Sequence, residues 1–134
     1  MPETTPALRG GELNAAISKA VVRSFSDYIG RGPTKARTSI RDDLVVCLLE
    51  NGLTKAERSL VAAGRGQLVL HTRSALQSTM RSDLAAAVER LTERKVIAFM
   101  SDNHIDPDVG TETFLLAPEQ AAGDGAADNG PAPS

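Results

Sequence analysis

Leu44-Val45-Val46-Cys47-Leu48-Leu49-Glu50-Asn51-Gly52-Leu53-Thr54-Lys55-Ala56-Glu57 carries the sharpest local signals in the chain. Leu44 to Leu49 is an unbroken apolar run. It reads as a strand covered on both faces or holding an interior position in a sheet. Asn51-Gly52 stops it, and Thr54 with Glu57 three residues on forms a capping box. In that motif the threonine oxygen accepts from the Glu57 amide while the carboxylate reaches back to the Thr54 amide. A strand therefore feeds a helix through a very short connection, and that helix ends near Gly64-Arg65-Gly66.

Working backwards, Asp42-Asp43 makes a tight turn from Lys35–Ile40, where charged and apolar residues alternate. Lys35, Arg37, Ser39 and Arg41 fall on one face and Ala36, Thr38 and Ile40 on the other, the pattern of a half-exposed strand. Before it, Leu13, Ile17, Val21, Phe25 and Tyr28 recur at helical spacing until Gly30 and Gly32-Pro33 end the stripe. Working forwards, Val69, Leu76, Met80, Leu84, Val88 and Leu91 mark a helix from about Gln67 to Glu93, on the order of 40 Å long. Val96–Ser101 and Thr111–Leu116 are the last two strands, joined by a polar loop over 102–110. The order is α-β-β-α-α-β-β. Helices on one face of a four-stranded, antiparallel-rich sheet, a two-layer α+β domain over 11–116, is the economical packing.

The flanks are different in kind. Residues 1–10 have no periodicity and read as a disordered arm; residues 117–134 are Ala, Gly, Pro, Asp and Asn with almost nothing to bury and read as a disordered acidic tail. The chain of 134 residues has 41% hydrophobic and 24% charged residues and a net charge of −2, values ordinary for one globular domain. Its bases and acids nearly balance, so nothing draws it as a whole to nucleic acid or anionic lipid. Aromatics are 3% of the chain, too few for base-stacking platforms. No apolar run reaches the length of a membrane span, the first ten residues lack a signal-peptide core, and the single Cys47 allows no intrachain disulfide. A cytoplasmic protein is expected, without a span of its own.

Candidate chemistry is sparse. Cys47 has apolar strand neighbours and no base beside it, so it reads as a core residue. Asp102, His104, Asp106 and Asp108 offer three carboxylates and an imidazole in one loop, a weak divalent-metal candidate whose spacing does not match the calcium-loop pattern. Gly30-Arg31-Gly32-Pro33-Thr34-Lys35, with Arg37 and Arg41 beyond, is a candidate anion or partner site: Arg31, Lys35, Arg37 and Arg41 supply positive charge. It is no P-loop, because the Gly-Lys-Ser/Thr ending is missing and the loop follows a helix. His71 and Arg73 read as a solvated helix face. No triad, zinc set or dinucleotide fingerprint emerges, so no cofactor and no enzymatic activity are expected.

Gly30 to Thr34, the strand ending Leu48-Leu49-Glu50, Leu53-Thr54 with Glu57-Arg58 and Leu60, Arg73 to Met80, and Val88-Glu89 through Phe99-Met100-Ser101-Asp102 stand in a fixed order that resembles the MpsC-like family. The likeness covers about residues 11–116; Thr92-Glu93 departs from it where a Thr-Gly turn would be expected. The resemblance implies a role in a sodium-translocating, membrane-potential-generating system with membrane transporter subunits as partners. It supplies no catalytic residues. The resulting expectation is a non-catalytic cytoplasmic accessory or regulatory module, at the inner face of the membrane; the alternative is a small-anion or metal-ion sensor at the basic strand face. Because the long helix outruns strands of about 20 Å, part of its stripe is expected to face water and to join two copies as a homodimer.

Overall fold

A computed structural model describes residues 8–119. The arm and tail expected over 1–10 and 117–134 therefore fall largely outside the described residues. The elements are α1 (Gly10–Ile29), β1 (Lys35–Arg41), β2 (Leu44–Glu50), α2 (Lys55–Ala62), α3 (Gly66–Thr92), β3 (Val96–His104) and β4 (Val109–Leu116). This is the α+β order read from the sequence. The strands pair antiparallel throughout, in the order β1-β2-β4-β3.

The apolar run at 44–49 takes an interior position but does not have two covered faces. Val45, Cys47 and Leu49 point inward and are buried, whereas Leu44 is 39% exposed. The inward side chains of β2 and β4, including Phe114 and Leu116, meet Ile17, Val21 and Phe25 of α1 and Met80, Leu84 and Val88 of α3. Phe99 of β3 stacks at a tilt on Phe114, with ring centroids 5.2 Å apart. Cys47 lies wholly inside this core, where burial pushes its thiol up. That is the inert state expected of it.

Local signals set the ends of the elements. Gly30 takes φ 91° and donates its amide to the Ser26 carbonyl, closing α1. The capping box at Thr54 and Glu57 is fully formed at the start of α2. Glu93 ends α3 in the left-handed region at φ 60°, the conformation a glycine would hold without strain. The departure from the expected Thr-Gly turn thus changes the residue and leaves the turn in place.

Two expectations need correcting. The strands β3 and β4 extend further than read, so the polar loop shrinks to residues 105–108 and Asp102 and His104 belong to β3. The stripe of α3 does not face water either. Val69, Met80, Leu84 and Val88 are buried and Leu76 and Leu91 half-buried, because α1, α2 and β3 flank the helix along its length. The buried row runs Val69, Arg73, Gln77, Met80, Leu84, Val88, so two polar residues replace Leu76 in it. Of the large apolar side chains left exposed, Leu44, Ile97, Met100 and Leu115 lie together on the sheet.

Candidate functional site

Three connections converge at one end of the sheet: α1–β1 (30–34), β2–α2 (51–54) and the β3–β4 turn (105–108). Their convergence is built from hydrogen bonds that satisfy the backbone of the middle one. Arg31 Nη1 donates to the carbonyls of Asn51 (2.8 Å) and Leu53 (3.1 Å). Arg73 Nη2 donates to the Gly52 carbonyl at 2.6 Å. The Leu53 amide donates to Asp108 Oδ2 at 3.0 Å, and the Asn51 amide to the Asp108 carbonyl at 2.9 Å. Asn51 Nδ2 reaches Thr34 Oγ1 at 3.1 Å. Two arginines and an aspartate therefore clamp three consecutive residues, Asn51 to Leu53, that have no secondary structure of their own, and satisfy their backbone groups.

Arg73 is the centre of the clamp. Its side chain is only 6% exposed, and it forms a two-pronged pair with Glu57, Nε to Oε2 and Nη2 to Oε1, each 2.7 Å. The guanidinium carbon sits 5.9 Å from the centre of the Phe25 ring. Burial by itself would raise the Glu57 carboxyl, but the hydrogen bonds from Arg73 and the Thr54 amide outweigh it and hold the group below its usual range. The reading of Arg73 as a solvated residue is thus overturned: a carboxylate from the capping box and a carbonyl from the loop give its charge partners inside the fold. His71 is exposed, as read.

One turn along α3, Gln77 continues the polar row. Its Nε2 donates to Glu112 Oε2 at 2.8 Å and to Asn103 Oδ1 at 3.2 Å, and its Oε1 accepts from Asn103 Nδ2 at 2.7 Å. Ser101 Oγ hydrogen-bonds the other oxygen of Glu112. Glu112 is 0% exposed, and burial pushes its carboxyl up to about 7 against the lowering effects of Ser101, Gln77 and the Arg73 charge. Sequence reasoning missed both residues, although signals existed. Gln77 stands four residues from Arg73 and three from Met80, and Glu112 alternates with Phe114 and Leu116.

Next to this network, Phe25, Leu49, Leu53, Val69 and Arg73 line a cavity of about 20 Å³, room for a single water. Outside it, a shallow groove of about 330 Å³ runs between α2 and the β3–β4 turn, lined by Leu53, Arg58, Val61, Ala62, Ile105 and Asp108. Arg58 stands 3.9 Å from Asp108 at its rim. The groove can take an apolar side chain flanked by charge.

The residues singled out from the sequence end up in different places. Arg31 is committed to the loop clamp. Lys35, Arg37 and Arg41 line up on the open face of β1, as their alternation predicts, and Arg37 already pairs with Glu50 at 3.0 Å. Among the metal candidates, Asp108 holds the 51–54 loop, His104 Nδ1 contacts the Pro107 carbonyl at 2.8 Å, and Asp102 accepts from the neighbouring Asn103 amide at 3.0 Å. Asp106 lies exposed in the turn. Among the described residues no group of three or more His, Cys, Asp or Glu side chains is placed to hold a metal ion. The weak metal candidate therefore has no common centre: Asp102 and His104 lie on the outward face of β3, whereas Asp108 is bonded to the β2–α2 loop and Asp106 is exposed in the turn.

No solved structure matches this chain. A Bacillus subtilis (strain 168) protein described as uncharacterized protein YbcI is 31% identical over 93 residues, spanning 69% of this chain and 75% of that protein. Three of the blocks that pointed to the MpsC-like family, Gly30–Thr34, Leu53–Arg58 and Arg73–Met80, are tied together by the clamp. A sequence model of the family described as "Na+-translocating membrane potential-generating system (MpsC)" matches residues 9–118, nearly the whole described chain, and the chain belongs to that family.

Proposed function

We propose that this chain is a non-catalytic accessory or regulatory subunit of a sodium-translocating, membrane-potential-generating system, acting as a homodimer in the cytoplasm at the inner face of the membrane. Family membership is the observation that carries the reading. No helix among the described residues is long and apolar enough to cross a membrane, so in this reading the ion path belongs to partner subunits. The polar side chains around α3 support a binding role over catalysis: Arg73 is paired with Glu57 and holds the loop end, and Gln77, Glu112, Ser101 and Asn103 are bonded among themselves. The surface they hold is the groove between α2 and the β3–β4 turn, where a membrane subunit would dock on Val61 and Ile105 with Arg58 at the rim.

The test is affinity capture of the tagged full chain from membranes solubilised in mild detergent. The wild type is expected to retain integral subunits of the ion-translocating system, and Arg58→Glu and Val61→Glu to lose them without a change in melting temperature. Recovery of no integral membrane protein would overturn the reading. Sensing of a small anion at Lys35, Arg37 and Arg41 has less support, since these residues stand on a flat strand and Arg37 has Glu50 as its counter-ion.

A further inference from the structure

The face of the sheet turned away from the helices has no covering element among the described residues. Its outward residues form four rows by strand register. Arg41, Leu44, Leu115 and Ala98 make the first; Ser39, Val46, Thr113 and Met100 the second; Arg37, Leu48, Thr111 and Asp102 the third; Lys35, Glu50, Val109 and His104 the last. The two middle strands are apolar on this face, with Leu44 39% and Leu115 37% exposed, and Met100 at 54% and Ile97 at 55% adjoin them on β3. Positive charge lies along β1 at one edge, and Asp102 lies on β3 at the other.

We infer that this open face is self-complementary and that its occupant is a second copy of this chain, stacked sheet to sheet about a two-fold axis running along the strands. The inference rests on the homodimer of the proposed function and assigns its surface. Such an axis exchanges the two edges and keeps the rows. Each β1 then faces the partner copy's β3, and each β2 the partner copy's β4. Arg37 meets the partner copy's Asp102, twice by symmetry, while Leu44 meets the partner copy's Leu115, also twice. Val46 and Leu48 cover the partner copy's Thr113 and Thr111, whose methyl groups suit an apolar contact. Arg41 sits at the rim over Ala98, and Lys35 over His104, with Glu50 beside it, so no like-charged carboxylates or guanidinium groups oppose each other. An axis perpendicular to the sheet plane would bring edges together, and it would leave the apolar middle in water. The stacking proposed is the aligned packing of sheets in sandwiches, about 10 Å apart and rotated by about 30°.

Area sets the strength. Four strands about 4.8 Å apart and about 25 Å long present roughly 450 Å² per copy. Doubled, that is near the low end for specific association, so the dimer should be reversible at micromolar concentration. Long helix α3 offers no comparable surface: Leu68 is the one large apolar side chain it leaves exposed among the described residues.

Charge reversal tests the pairing. Arg37→Asp places two carboxylates opposite each other, and Asp102→Arg places two guanidinium groups opposite each other. By sedimentation equilibrium each variant alone should associate at least about tenfold more weakly than wild type. Mixed in equal amounts they should restore dimers. In the heterodimer the introduced aspartate faces the introduced arginine on one side of the axis, and the native Asp102 faces the native Arg37 on the other. That mixing result also shows that both variants fold. Leu115→Lys should abolish dimers alone and in every mixture. A wild type that stays monomeric up to high micromolar concentration would overturn the homodimer itself. A dimer that withstands all three substitutions, or single variants that weaken without rescue on mixing, would leave the homodimer standing and overturn this surface.

Discussion

Replacing Glu112 by Gln should change how stability depends on pH more than stability at any single pH. The carboxyl is fully buried between α3 and the β3–β4 hairpin, with Ser101 on one oxygen and Gln77 on the other. In the unfolded chain it titrates near its ordinary value of 4.5, and in the folded chain near 7. Between those values the folded state keeps a proton that the unfolded state has released. Folding therefore favours the protonated group: its contribution is complete below about pH 4.5, declines as pH rises, and is gone above about 7. At about 1.4 kcal/mol per pKa unit, the full swing is about 3 kcal/mol. Gln can satisfy the same partners, its carbonyl accepting from Gln77 and its amide donating to Ser101 Oγ, so the variant should fold without an unpaired group. Urea denaturation of wild type and Glu112→Gln at pH 4.5 and pH 8 reads the effect as a double difference, which cancels every other titrating group. The variant should gain about 3 kcal/mol relative to wild type between the two pH values. Parallel profiles, with the difference constant to within about 0.5 kcal/mol, would show that the buried carboxyl does not titrate as argued, and that the charge of Arg73 reaches it more strongly than the geometry implies.

Three further substitutions probe the clamp and the caps. Arg73→Met keeps the volume but removes the charge from Glu57 and the donor from the Gly52 carbonyl; it should cost about 3 kcal/mol in urea denaturation and raise hydrogen exchange at the Leu53 amide. Thr54→Ala removes the oxygen that accepts from the Glu57 amide at 3.1 Å and should cost about 1 kcal/mol, read from thermal melting. Glu93→Gly releases a left-handed residue at the end of α3 and should stabilise by about 1 kcal/mol, seen as a higher melting temperature.

Element order and type were legible because each element carries its own local signal. Four-residue spacing of Ile17, Val21 and Phe25, alternation from Lys35 to Arg41, and the box at Thr54 and Glu57 do not depend on what lies elsewhere in the chain. The clamp was not legible, because its members are far apart in sequence. Arg31, Asn51, Arg73 and Asp108 meet only after the sheet has paired β2 with β4, which sets Glu50 beside Val109. Arg73 misled, and Gln77 went unread, for a further reason: hydropathy puts polar residues on the outside of a helix, whereas a carboxylate and an amide partner can hold them inside. The apolar run of β2 allowed two readings, two covered faces or an interior position, and only the interior position holds. Leu44, Val46 and Leu48 have the composition of a doubly covered strand, yet nothing among the described residues lies over them.

That last mismatch and the polar half of α3 bear on the same question, how one face of a four-stranded sheet can be left open without the fold slipping. A sheet with apolar residues on both faces has two nearly equivalent sides on which helices could settle, since a one-residue register shift exchanges them. Apolar burial alone discriminates poorly between Leu44, Val46 and Leu48 on one side and Val45, Cys47 and Leu49 on the other. The polar residues break the tie. Glu112, Ser101 and Asn103 all project to the side where Gln77 bonds Glu112 and Asn103, and the opposite side offers Thr111, Thr113 and Asp102 with no partner on α3. Packing α3 on the other face would part Gln77 from Glu112 and Asn103 and forfeit the hydrogen bonds it makes with them. The network beneath α3 thus favours the face the helices cover, and by doing so leaves the other, with its apolar middle strands and its charged edges, open.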